Sequence, residues 1–274
     1  VGQAAKLALE DRVKEVNDKG GINGKKIELI TYDSRCEPPE AVAAAKRLIE
    51  QDKVVGVIGP EWTAASIPLA PIAEAAKVPV ITTTASNVKV TINEDGSVKP
   101  FIFRTCFIDP YQGYALADFA YKDLGKRKAA FIYDVGNAYS AGILQFFEAQ
   151  FTKLGGQVIA KEGYQSNDTE FRAQISKVAK ANPDIMVLPS STYRDVALIA
   201  KQTQALGLKT QFLGVDGWVA DELLSMAGKE LEGAFLTSGL STEAPEFKDY
   251  NEKFQKAHNM KANIYAYYAL DALY

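Results

Sequence analysis

The feature that most constrains this chain is an alternation: short runs of apolar, often β-branched residues are separated by longer segments with helical apolar spacing. A parallel strand pair needs a connecting segment of a dozen or more residues, usually a helix. The alternation therefore predicts an α/β protein with parallel sheets flanked by helices. In a first series, the spacing predicts helices over 2–17, 39–50, 66–77 and 112–124, and strands over 26–33, 54–59, 79–83 and 101–107. The Gly-rich stretch at 19–24 stops the first helix with residues that tolerate positive φ.

A second series follows the same pattern, with strands over 129–133, 157–164, 184–188, 211–215 and 233–238 and helices over 141–154, 169–180, 194–206 and 220–227. Strongly twisted open sheets rarely exceed about ten strands, so two doubly wound domains joined by a hinge suit 274 residues better than one wide sheet. Residues 244–258 and 264–274 are helical, carry aromatic stripes and have no strand between them. They are expected to return to the first lobe, which comprises 1–109 and 242–274, with 110–241 as the second lobe.

Charge and composition exclude several classes. A net charge of −3 gives no electrostatic reason to expect nucleic acid or an anionic membrane, so the partners expected are neutral or zwitterionic small molecules. No apolar run reaches the roughly 18 residues of a membrane helix, and no basic-then-apolar leader opens the chain, so Val1 is not expected to be the true start. Cys36 and Cys106 are either one disulfide or two thiols, and their places at different strand ends weigh against a bridge. His258 is the sole histidine, in a late polar segment, which removes the central group of a Ser/Cys triad or a histidine metal site. No Gly-x-Gly-x-x-Gly follows a strand and no P-loop string occurs, so no catalytic residue, metal or cofactor is expected.

Ligands of open α/β sheets bind beyond the carboxyl ends of the strands. Here those positions carry small polar and aromatic residues: Glu61, Trp62 and Thr63; Thr84, Ala85 and Ser86; Tyr139; Ser190 to Tyr193; and Asp216 to Trp218. Helix-start N–H groups with Ser and Thr hydroxyls suit a carboxylate, and one buried Asp suits an ammonium, which together read as an α-amino acid site. The same residues also have ordinary roles. Thr63 and Ser86 serve equally as N-caps, Trp62 and Trp218 as core or rim aromatics, and Asp216 as a turn residue.

The strings Tyr32-Asp33, Val57-Ile58-Gly59-Pro60, Val78-Pro79-Val80-Ile81, Phe103-Arg104-Thr105 with Asp109 and Gln112-Gly113, and Gly207 through Gly214 followed by Asp216-Gly217, carry a family resemblance in their order and spacing. Together they resemble the type I periplasmic binding proteins of the branched-chain amino acid uptake group, including its leucine/isoleucine/valine-binding members. The resemblance implies a hinged two-lobe binder that captures a small amino acid, aliphatic or branched-chain, and delivers it to an ABC transporter permease. It also implies a monomer in the periplasm or outside the cell, with a lipid anchor on the full gene product as one form. A ligand-sensing receptor ectodomain of the same fold and a binder of aromatic amino acids are the alternatives.

At residue level, the resemblance implies that Thr63, Thr84 and Ser86, with backbone amides, hold the ligand carboxylate, that Asp216 holds the ammonium, and that Tyr139, Thr192 and Tyr193 line the pocket; Ala85, Trp62 and Trp218 join the candidate ligand-binding residues by their place after strands. Thr192 stands where relatives have a tyrosine, Trp62 where one has a disulfide cysteine, and Glu61 is unexpected beside an apolar ligand. Glu61 and Arg194 are the two charged residues able to redirect specificity toward a basic or an acidic side chain. The resemblance further implies a first strand and a C-terminal part beyond these 274 residues, and three interdomain crossovers, of which two are legible, near Asp109 and near 240–242.

Overall fold

In a computed structural model that describes residues 2–35 and 37–274, every pairing between named strands is parallel. The elements run α1 (Gly2–Asp18), α2 (Pro38–Lys46), β1 (Val57–Ile58), α3 (Thr63–Ala76), β2 (Val80–Thr82), β3 (Ile102–Arg104), α4 (Asp109–Asp118), β4 (Lys128–Asp134) and α5 (Ala138–Lys153). They continue as β5 (Gln157–Tyr164), α6 (Arg172–Ala181), β6 (Ile185–Val187), α7 (Tyr193–Ala205), β7 (Gln211–Gly214), α8 (Asp221–Ala227), β8 (Phe235–Leu236), α9 (Lys248–His258) and α10 (Ile264–Leu273). The chain divides into unit 1, Val1–Phe107 with Leu240–Tyr274, and unit 2, Ile108–Gly239.

Unit 1 holds a three-stranded sheet in the order β1-β2-β3, with Val57 opposite Val80 and Val80 opposite Ile102. Its sheet-side core is built mostly of small residues: Ala45, Ala70, Ala73 and Ala85, filled out by Leu69, Val80, Val90 and Ile102. Pro38 opens α2, where its fixed φ suits a first turn, and Lys77 ends α3 in the left-handed region. The second core of the unit joins Ala4 and Ala8 of α1 to Phe254 of α9 and to Ala266 and Tyr267 of α10. The aromatic stripes of the last two helices are thus spent on α1.

The strand expected over 26–33 is not formed. A β-branched run becomes a strand only where a neighbour completes its ladder. Here the Asn17 side chain takes that place at Ile27, accepting from its N–H at 2.7 Å and donating to its carbonyl at 2.8 Å. The strand expected over 54–59 shrinks to Val57–Ile58, because Val54 N–H bonds back to Leu48 O and Val55 is exposed.

Unit 2 holds a five-stranded sheet in the order β5-β4-β6-β7-β8. Strands β4, β6 and β7 are central and mostly buried, which is why their sequences read as continuous apolar runs. Phe131, Phe147, Phe151 and Phe171 are fully buried, with the Phe131 and Phe147 rings in an edge-to-face pair 5.2 Å apart. Large buried rings of this kind contribute about 3–5 kcal/mol each against truncation. That core fixes the height of the strand ends on which the candidate residues sit.

Candidate ligand-binding residues

Unit 1 contributes two loops. The first follows β1 and runs directly into α3, so Thr63 begins that helix, with Trp62 as its extended N-cap residue. The second follows β2. Three internal bonds fix these loops to each other and to the sheet. Thr84 Oγ1 donates to Glu61 O at 2.7 Å, Ser66 Oγ donates to Pro60 O at 3.1 Å, and Asn87 N–H donates to Thr63 Oγ1 at 3.4 Å. Thr84 is therefore already engaged through its hydroxyl proton, whereas the buried hydroxyls of Ser86, Thr82 and Thr83 find no partner among the described residues.

Buried hydroxyls without partners cost about 1–3 kcal/mol each unless a ligand or water meets them. They make the end of β2 the most donor-rich unsatisfied spot of unit 1. Ala85 is fully buried in the sheet-side core, so its contribution can come only through its backbone. Trp62 is half-buried. Glu61 lies near the first turn of α1, with its Oε2 3.9 Å from where a Cβ on Gly2 would stand, and burial pushes its carboxyl up to about 7.

Unit 2 contributes a carboxylate. Asp216 follows β7, is 6% exposed, and receives Tyr139 Oη at 2.5 Å and Gln112 Nε2 at 3.0 Å. Both side-chain donors meet Oδ1, leaving Oδ2 without a side-chain donor among the described residues. No lysine or arginine forms an ion pair with Asp216 among those residues. Burial raises its pKa, while the bonds from Tyr139 and Gln112 pull it back toward the ionised form. Gln112 is itself held, accepting from Thr237 Oγ1 at 3.0 Å and from Asp216 N–H at 3.4 Å.

The sequence motif at 112–113 singled out Gln112 but gave it no role; the structure makes it the second support of Asp216. Asn137 caps α5 by accepting from Tyr139 N–H at 3.0 Å and donates through Nδ2 to Ser191 Oγ at 2.8 Å. It thereby couples the turn that aims Tyr139 to the loop carrying Thr192. Gly217 is obligatory beside Asp216, because a Cβ there would stand 2.3 Å from Ser190 O.

Trp218 sits elsewhere. Its ring is 3% exposed, packs on Gly214, where a Cβ would come within 2.2 Å of it, and donates through Nε1 to Leu188 O at 3.0 Å. It is a core residue that braces the Asp216 turn. Thr192 and Tyr193 are half-buried at the start of α7, and Arg194 is exposed. Cys106 is buried, and Cys36, with the bridge weighed between the two, lies outside the described residues. No group of three or more metal-ligating side chains occurs among the described residues, and no described helix is long and apolar enough to cross a membrane.

The chain is 32% identical over 256 residues to an amino acid binding protein of Pseudomonas aeruginosa, covering 92% of this chain and 66% of that relative, just under two thirds of its length. It is similar to a leucine binding protein from Thermotoga maritima, with a TM-score of 0.88 at 34% identity over 99% of this chain and 76% of that one. It is also similar to the substrate binding protein of a branched-chain amino acid transporter from Streptococcus pneumoniae, solved with isoleucine. There the TM-score is 0.89 at 27% identity, over 99% of this chain and 77% of that one. The family model described as periplasmic binding protein matches residues 1–274, and the chain belongs to that family.

Proposed function

We propose that this chain is the solute-binding component of an ABC transporter, that it captures an aliphatic L-amino acid of leucine, isoleucine or valine size, and that it performs no chemistry on it. The carrying observation is Asp216: a buried carboxylate with two neutral side-chain donors and, among the described residues, no cation of its own, which an α-ammonium group would complete. The unpartnered Ser86 hydroxyl and the loop around it supply neutral donors of the kind an α-carboxylate needs. Beyond these, the half-buried Trp62 and Tyr193 offer apolar area with no fixed charge, which suits an aliphatic side chain. The relatives support the class of ligand and the transport setting, and the family description supports a periplasmic location; a permease partner is part of the proposal.

Competition calorimetry with leucine, isoleucine, valine, phenylalanine, arginine and glutamate tests the reading. Tightest binding by an aliphatic amino acid is expected, with phenylalanine next. Tightest binding by arginine or glutamate overturns it and directs attention to Glu61 or Arg194 respectively.

A further inference from the structure

Arg104 ends β3 in register with Thr82 of β2, and its guanidinium reaches back over the loop that carries Thr84, Ala85 and Ser86. Nη1 donates to Ala85 O at 2.8 Å, and Nη2 donates to Asn87 O at 3.0 Å and to Thr91 Oγ1 at 2.7 Å. Ala85 O and the Ser86 N–H are the two ends of one peptide group. A planar trans peptide points them in opposite directions. A cation bonded to the oxygen end therefore fixes where the N–H end points. It also withdraws electron density from the group, which strengthens that N–H as a donor.

The same logic holds for Asn87 O and the amide of Val88. With Thr84 already tied to Glu61 O, the guanidinium gives the Ala85 to Asn87 stretch a charged anchor. A fork of planar donors serves three acceptors at once in a way that a lysine ammonium cannot reproduce.

We propose that Arg104 is a positioning residue for the ligand carboxylate: it turns the Ala85 and Asn87 carbonyls away from the ligand and aims the Ser86 amide at it, so that a positive charge acts on the anion through the backbone. This rests on the amino-acid-binding reading above. The test uses the full chain with leucine and leucinamide as calorimetric probes. Arg104→Gln is expected to weaken leucine by about tenfold or more, the loss typical of charge-assisted hydrogen bonds, and leucinamide by much less. The ratio of the two affinities narrows accordingly, and Arg104→Lys recovers part of it.

An equal loss for both probes, or an unchanged leucine affinity, overturns the proposal, because a merely structural role would move both ligands together. A parent protein that binds neither probe refutes the amino-acid reading instead. Hydrogen exchange at the Ser86 and Val88 amides of the ligand-free protein then decides the positioning role by itself: faster exchange in Arg104→Gln at unchanged melting temperature upholds it, and unchanged exchange overturns it.

Discussion

The candidate residues of the two units differ in how their buried polar groups are met. In unit 2 three buried acids are supported by donors from their own unit: Asp216 by Tyr139 and Gln112, Asp134 by Ser166 and the Gly136 N–H, and Asp195 by Tyr164. In unit 1 the buried groups at the end of β2 are neutral hydroxyls, and Thr82, Thr83 and Ser86 are left without partners among the described residues. The difference follows from cost. A buried charge without support costs several kcal/mol, whereas a lone hydroxyl costs about 1–3 kcal/mol, so a hydroxyl can wait unpartnered for a ligand more cheaply than a carboxylate, which needs standing donors. The cores differ in the same sense, since unit 2 is packed on four fully buried phenylalanines and the sheet of unit 1 mostly on alanines and small aliphatics.

The comparison breaks most sharply at Asp216. Asp216→Ala is expected to lower leucine affinity by a hundredfold or more, equivalent to about 3–5 kcal/mol, because it leaves the ligand ammonium without its counter-charge. Circular dichroism should show the fold intact, and calorimetric binding within about threefold of the parent would remove Asp216 from the site. Ser86→Ala, the matching change in unit 1, should cost only about 1 kcal/mol of affinity. If the two losses were equal, the contrast between charged and neutral halves would be wrong.

Core truncation sharpens the structural side of the comparison. Phe147→Ala should destabilise unit 2 by about 3–5 kcal/mol in urea titration, with Ala73→Gly in α3 of unit 1 costing nearer 1 kcal/mol. Equal losses would mean that the alanine-rich sheet is packed as tightly as the phenylalanine core.

A smaller effect concerns the pH dependence of binding. Burial raises the pKa of Asp216 and the Tyr139 bond lowers it, so leucine affinity should fall as pH drops through that raised value, when the acid becomes neutral. Tyr139→Phe removes a donor to the ionised form and should move the fall to higher pH, with about a tenfold loss at neutral pH. A midpoint that stays put would show that Tyr139 does not support the charge.

The smallest effect belongs to Glu61. Its carboxyl is raised to about 7 in the folded chain, so it contributes stability that is full below its unfolded value of 4.5 and is lost as pH rises through about 7. The side chain is only partly buried, and solvent screening limits the effect to on the order of 1 kcal/mol. Glu61→Gln should flatten the melting temperature between pH 5 and 8 (roughly the window set by these pKa values), and an unchanged slope would assign that dependence elsewhere.

Much of the fold was legible because burial imposes a period. Residues 157–164 and 211–214 form strands where the apolar runs place them, and the helix at 194–206 differs from α7 by one residue at each end. The run at 26–33 was misread because strand propensity describes a half-buried surface and says nothing of whether a partner lies alongside. Trp218 illustrates the same limit at the site: its place after a strand suggested a pocket wall, yet the space over Gly214 drew the ring into the core.

What the sequence determined alone was local: the alternation of strand and helix, the small polar residues after each strand, and a single histidine placed late in the chain. Tertiary structure decided which of those polar residues were already satisfied and which were left waiting. Gln112 reaches Asp216 across 104 positions of sequence, and Arg104 reaches Ala85 across 19. No periodicity encodes such pairs, because a hydrogen bond depends on where the crossovers bring two strand ends together within a few tenths of an ångström, and that distance is set by the packing of the whole core.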